Sequence, residues 1–164
     1  MEHSAFYSYH YNPDSWRASQ ILNLGVVDGN WPASDSEWDE LKRAGDLAIR
    51  KWIKDQMEGK SVAIALIGKN TASRIWVRYE IDTAWKAGKG VLGLYINHFE
   101  DSNGNLSEKG SSPFSGFYIN GGPLNNIVKS YEPPYTSSAS SCDYIKDNLA
   151  DWIETAISIR SKYG

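Results

Sequence analysis

The fold is decided by residues 61–96, SVAIALIGKNTASRIWVRYEIDTAWKAGKGVLGLYI. Ser61 to Ile67 is an unbroken apolar run between Gly59 and Gly68, the pattern of a strand covered on both faces in a parallel sheet. Val91 to Ile96 repeats it. Between them, Ala72 to Ala87 has helical spacing, with Thr71 or Ser73 as N-cap and Gly88 as the stop. Strand, helix, strand in that order predicts a right-handed parallel crossover.

Towards the N-terminus, Ala5 to Tyr9 reads as a first strand, followed by a turn at Asn12, Pro13 and Asp14. Ser15 to about Leu24 is weakly helical, with Asp14 or Ser15 available as cap and Gly25 as the stop. Val26 and Val27 suggest a brief second strand, and the turn formers from Asp28 to Trp38 a loop. Leu41, Ala44, Ala48, Ile49, Trp52, Ile53 and Met57 recur at helical spacing and predict one amphipathic helix ending at Gly59.

Towards the C-terminus, residues 97–140 are dense in Gly, Ser, Asn and Pro, with short strands suggested at Phe117 to Ile119 and Ile127 to Val128. The segment is too long for a plain connector, which leaves an insertion over one face or a functional lid. A final helix at about 142–160 presents Ile145, Leu149, Trp152, Ile153 and Ala156 on one face. The whole predicts a single α/β domain over residues 1–164, flavodoxin-like and doubly wound, with a mainly parallel central sheet and helices on both faces. Ligands of such sheets bind at the carboxyl ends of the strands, which places the residues after Tyr7, Ile67 and Ile96 near any site.

Composition narrows the function. Apolar residues make up 41% and charged residues 23%, as in globular proteins, and no run reaches the roughly 20 apolar residues that span a bilayer. MEHSAFYSYHY has no secretory pattern, so the cytosol is the expected compartment. A lone Cys142 and the scattered His3, His10 and His98 argue against a metal site. A net charge of −3 with dispersed Lys and Arg argues against a nucleic-acid footprint. The seven Trp and ten Tyr fit either amphipathic packing or stacking on a ligand with flat rings.

On the helical wheel of residues 72–87, Arg78, Asp82 and Lys86 share one side, whereas Glu80 falls in the apolar half with Trp76, Val77, Ile81, Ala84 and Ala87. A carboxylate there is costly unless paired, protonated or beside a crevice. Two readings follow: a boundary glutamate paired with a base such as Arg17, or a catalytic carboxylate. Arg17 itself could hold a phosphate or form a surface ion pair. Ser8 and Tyr9, at the end of the first strand, are placed to hydrogen-bond a ligand, and His10 is assigned no catalytic role. No GxxxxGK[ST] and no helix-opening GxGxxG is present, which disfavours P-loop and dinucleotide-dehydrogenase sites. Leu66-Ile67-Gly68-Lys69-Asn70 lacks the strand-end Asp of a phospho-acceptor receiver.

Ala5-Phe6-Tyr7-Ser8-Tyr9 resembles the opening strand of TIR domains, and residues 62–81, from Val62 through Ser73, Trp76 and Glu80, resemble their strand, serine-containing turn, tryptophan and helix glutamate. With Asp14-Ser-Trp-Arg17 and Ile67-Gly68-Lys69, residues 4–97 are similar to the TIR-like family that includes the sensor of the Thoeris anti-phage system. The chain departs from eukaryotic adaptor TIR domains around Gly25 to Asp39.

The resemblance implies an enzyme that cleaves the nicotinamide bond of NAD, taken as substrate with no cofactor or metal, and Glu80 as its catalytic residue. By the same resemblance Phe6, Ser8, Tyr9 and Trp76 line the nicotinamide-ribose end and Arg17 meets a phosphate. It further implies a cyclic ADP-ribose-type signal read by a separate effector, a phage-derived trigger, and activity in a homo-oligomer. The rival expectation is a non-catalytic interaction module using Trp31, Trp38 and residues 97–140.

Overall fold

The computed structural model describes residues 4–10, 13–24, 35–119 and 121–163. β1 (Ala5–Ser8) leads to helices α1 (Ser15–Leu22), α2 (Asp35–Ala44) and α3 (Asp46–Met57). β2 (Val62–Ile67), α4 (Ile75–Lys86) and β3 (Gly90–Tyr95) form the expected strand-helix-strand unit. Beyond it come a small antiparallel pair, β4 (Tyr118–Ile119) and β5 (Gly122–Pro123), then β6 (Lys129–Tyr131) and the closing helix α5 (Ser138–Ser161).

The main sheet has four strands in the order β1-β2-β3-β6, each pair parallel. Its two faces are chemically unlike. A Cβ on Gly90 would meet the α5 backbone at Ala156 and Ile157, so Gly90 faces α5. By the two-residue period and the register, Val62, Ile64, Leu66, Leu92 and Leu94 share that face. Ile145, Leu149, Trp152, Ile153 and Ala156 of α5 are all buried, and α1 packs beside α5.

The opposite face carries a row of small residues across all four strands: Ser8, Ala65, Gly93 and Ser130 stand in register. With so little side chain there, α4 can settle its buried residues Val77, Glu80, Ile81 and Ala84 against the sheet. α3 lies on the same side, with the Arg50 guanidinium 5.7 Å from the centre of the Tyr79 ring. Helices therefore cover both faces of a parallel sheet, as the sequence predicts.

Several boundaries differ from expectation. The helix read from Leu41 to Gly59 is two helices, α2 and α3, separated by Gly45 at φ 104°, ψ 173°. That region of backbone space is open essentially to glycine alone; the apolar spacing simply runs on through the break. Neither Thr71 nor Ser73 caps α4. Residues Thr71–Ser73 form a 3-10 turn, Thr71 Oγ1 accepts from the Gly68 N–H at 2.7 Å, and the cap position falls to Arg74. Asp14 sits at the N-cap of α1 but makes no capping bond with its side chain. The Asp28–Trp38 loop gives way to helix by Asp35. Gly25, Val26, Val27 and Trp31 lie outside the described residues.

Residues 97–140 are packed into the same core as the sheet through Phe99, Phe114, Leu124 and Val128. Phe117 takes the Arg78 guanidinium at 4.5 Å, and β4 begins one residue later. The strand expected at Ile127 to Val128 forms instead at Lys129–Tyr131, because Val128 is an anchor while the next residues extend the sheet edge. The insertion is therefore structural over much of its length.

Replacing Gly45 by Ala forces a side chain into that glycine-only region. The substitution is expected to destabilise the fold by about 1–3 kcal/mol, read as a lower urea midpoint at unchanged slope. An unchanged midpoint would show that the break tolerates a Cβ.

Candidate active site

Ser8 closes β1 on the face covered by α4, and Glu80 projects from α4 onto it. The Ser8 hydroxyl donates to Glu80 Oε1 at 2.6 Å, and Glu80 is 3% exposed. Burial pushes its pKa from the ordinary 4.5 up to about 8, with the Ser8 hydrogen bond pulling the other way. Burial thus favours the protonated carboxyl around neutral pH.

The ion pair with Arg17 is not formed. Arg17 Nε donates to the Phe99 carbonyl at 2.8 Å and Nη2 to the Asn105 carbonyl at 3.0 Å. Its charge is met by Asp14 at 3.4 Å and Asp101 at 3.9 Å. Arg17 is thus a buried clamp holding the chain after β3 against α1.

Past the end of β1 a cleft of about 340 Å³ opens onto Glu80. Tyr9, His10 and Pro13 form one wall, Trp38 and Lys42 of α2 another, and Arg74 to Val77 the third. Trp76 meets Tyr79 edge-on at 5.5 Å, and Trp38 tilts against Trp52 of α3 at 6.3 Å. Partial burial, then the charges of Arg74 and Lys42, hold the His10 pKa below its usual value, so the imidazole is neutral at pH 7.

Glu80, Tyr9 and Trp76 of the expected set meet at this cleft, and Ser8 stands behind Glu80. Phe6 is buried two residues earlier on the same sheet face and is not part of the cleft wall. Arg17 is occupied elsewhere. His10, Trp38, Lys42 and Arg74 join the site without having been assigned to it from sequence. Trp38 and Lys42 are four apart, one face of a helix, but that signal is usable only once α2 is known to start at Asp35. Nothing in the pattern around Arg74 marks it. Among the described residues no group of three or more His, Cys, Asp or Glu is placed to hold a metal.

A parallel sheet between two helical layers is the architecture of a TIR-like, flavodoxin-like domain. The family model described as Thoeris protein ThsB, TIR-like domain, matches residues 6–101, and the chain belongs to that family. It is 34% identical over 119 residues to the Bacillus cereus (strain MSX-D12) protein named "Putative cyclic ADP-D-ribose synthase ThsB1". The match covers 70% of this chain and 62% of that relative, so less than two thirds of the relative's length is spanned. Among the described residues no helix is long and apolar enough to cross a membrane.

The Glu80 environment makes stability depend on pH. Because its folded pKa is raised, the native state holds more protons than the unfolded chain between pH 4.5 and about 8, and stability falls as pH rises through that window. Glu80→Gln is expected to remove this component, at most roughly 5 kcal/mol by pH 9. Urea titrations at pH 5, 7 and 9 measure it; equal slopes of stability against pH in both proteins would contradict the raised pKa.

Proposed function

We propose that this protein cleaves the nicotinamide–ribose bond of NAD and joins the ribosyl carbon to another atom of the same nucleotide, releasing a cyclic ADP-ribose-type signal in anti-phage defence. The observation that carries the proposal is Glu80, a carboxyl held by Ser8 in a water-poor site at the wall of a cleft beside Trp76. The name of the Bacillus cereus relative supports the same reading. A cleft of about 340 Å³ is at the small end of ligand pockets, of the order of one nucleoside-sized half of NAD.

Nicotinamide is bonded to ribose as a cationic pyridinium and departs neutral, so the reaction needs no general acid. The bonding electrons leave with nicotinamide, and positive charge develops on the ribosyl carbon and its ring oxygen. A carboxylate there stabilises that charge. The pyridinium beside Glu80 favours loss of the carboxyl proton; substrate binding thus generates the ion that cleavage requires. Trp76 and Tyr9 offer flat faces to the ring and sugar, and Ser8 fixes the carboxyl orientation. Capture by a ring nitrogen or hydroxyl of the same molecule, with loss of a proton, gives the cyclic product; capture by water gives ADP-ribose. The product acts through a separate effector, and a phage-derived cue and self-assembly control the rate.

The test is incubation with NAD, with and without lysate of phage-infected cells, at several protein concentrations, with products resolved by chromatography and mass. Nicotinamide and a cyclic product are expected, falling about 100-fold or more in Glu80→Gln. No nicotinamide under any condition from folded protein would overturn the proposal in favour of a non-catalytic interaction module. Where turnover is measured, kcat/KM is expected to rise with pH and level off above about 8. The apparent pKa in kcat is expected to be lower, since the bound pyridinium favours the ion. A flat profile through this range would remove Glu80 as the group that must ionise.

A further inference from the structure

Two exposed cations converge on the Glu80 cleft from different parts of the chain. Lys42 comes from α2, whose direction is set by the break at Gly45, and Arg74 immediately precedes α4. Both act on the His10 ring, which places their charges about the same wall. Arg74 forms no ion pair among the described residues. Among the described residues Lys42 pairs with its helix neighbour Asp39, at 3.2 Å with both side chains about half exposed, an arrangement worth little in water. Arg17, by contrast, has its guanidinium committed to two carbonyls and two carboxylates.

The charge is local. The chain carries a net −3, while among the described residues the carboxyl that lines the cleft is Glu80, buried at its inner wall. Tyr9, Pro13, Trp38 and Trp76 bring no charge to the remaining walls. A cleft with an uncharged inner end and two cations at its walls is suited to a ligand that is anionic at one end only. Arg supplies a planar fork for phosphate oxygens and Lys a mobile point charge.

We infer that Lys42 and Arg74 are the phosphate-recognising pair of this cleft, gripping the pyrophosphate of a dinucleotide so that its glycosidic end reaches Glu80. The inference rests on the NAD reading for the identity of the ligand. It moves phosphate recognition from α1, where Arg17 suggests it, to the opposite side of the sheet. These two residues then select for the charged dinucleotide over its uncharged nucleoside.

The experiment separates this grip from catalysis by using ligands that are not cleaved. Binding of ADP-ribose, inorganic pyrophosphate and adenosine is measured by calorimetry for the wild type, Lys42→Ala, Arg74→Ala, the double variant, and Lys54→Ala, which alters an exposed cation of α3. Each cleft variant is expected to lose roughly tenfold or more in ADP-ribose affinity, with a shallower dependence on salt. Adenosine binding and the Lys54→Ala protein are expected to be unchanged. With NAD, KM rises while kcat is held, and cleavage of nicotinamide riboside is unaffected. No ADP-ribose binding by the wild type, or undiminished affinity in the double variant, overturns the inference. ADP-ribose binding that depends on Lys42 and Arg74 in a protein releasing no nicotinamide supports the phosphate grip while the catalytic reading fails.

Discussion

A carboxyl group closed between a helix and a sheet is the constraint around which this molecule is arranged. Glu80 can occupy that position because the register brings Ser8, Ala65, Gly93 and Ser130 into one row under the helical layer. A Cβ on Gly93 would crowd Ser130, Ile67 and Phe114 at once. Ser8 is the one hydroxyl the row places at Glu80, and its hydrogen bond offsets part of the cost of taking a polar group out of water. The other face answers a different demand: Ile64, Leu66, Leu92 and Leu94 against α5 supply the apolar burial from which a sheet of this size draws its stability.

The sequence is most legible where one pattern suffices. Residues 62–67 and 90–95 are strands because an unbroken apolar run can satisfy cover on both faces, and α5 follows from a repeating stripe. Glu80 stands out because it violates the pattern of its own helix. Legibility fails where a backbone torsion decides: nothing in the spacing of Leu41, Ala48 and Trp52 distinguishes one helix from two. It fails again at Arg74 and Lys42, whose meeting is a product of tertiary packing. The place of Arg17 is hidden for a related reason, since two of its partners are main-chain carbonyls 82 and 88 residues away, which carry no residue signature.

The insertion after β3 illustrates how a loop-like composition can conceal a structural part. Its glycines and serines lie between Phe99, Phe114, Leu124 and Val128, each buried in the common core. Its final stretch adds a fourth strand to the sheet, and Lys109 ties it back through Glu132 at 2.8 Å and the Tyr95 ring at 4.5 Å. The family model ends at residue 101, so part of the sheet itself lies beyond the matched region.

Gly45 joins two parts of the molecule with different surroundings. α3 belongs to the packed body through Ile49, Ile53 and Met57, whereas α2 turns Trp38 and Lys42 towards the cleft. The wall that α2 gives the cleft is set by the turn at Gly45 and by the tilted pair of indoles, Trp38 and Trp52, while the other walls come from the end of β1 and the start of α4. Because Trp38 is itself buried in the common core, the segment that shapes one wall of the cleft is also anchored in the body of the fold, so a change at that wall is felt by the packing behind it.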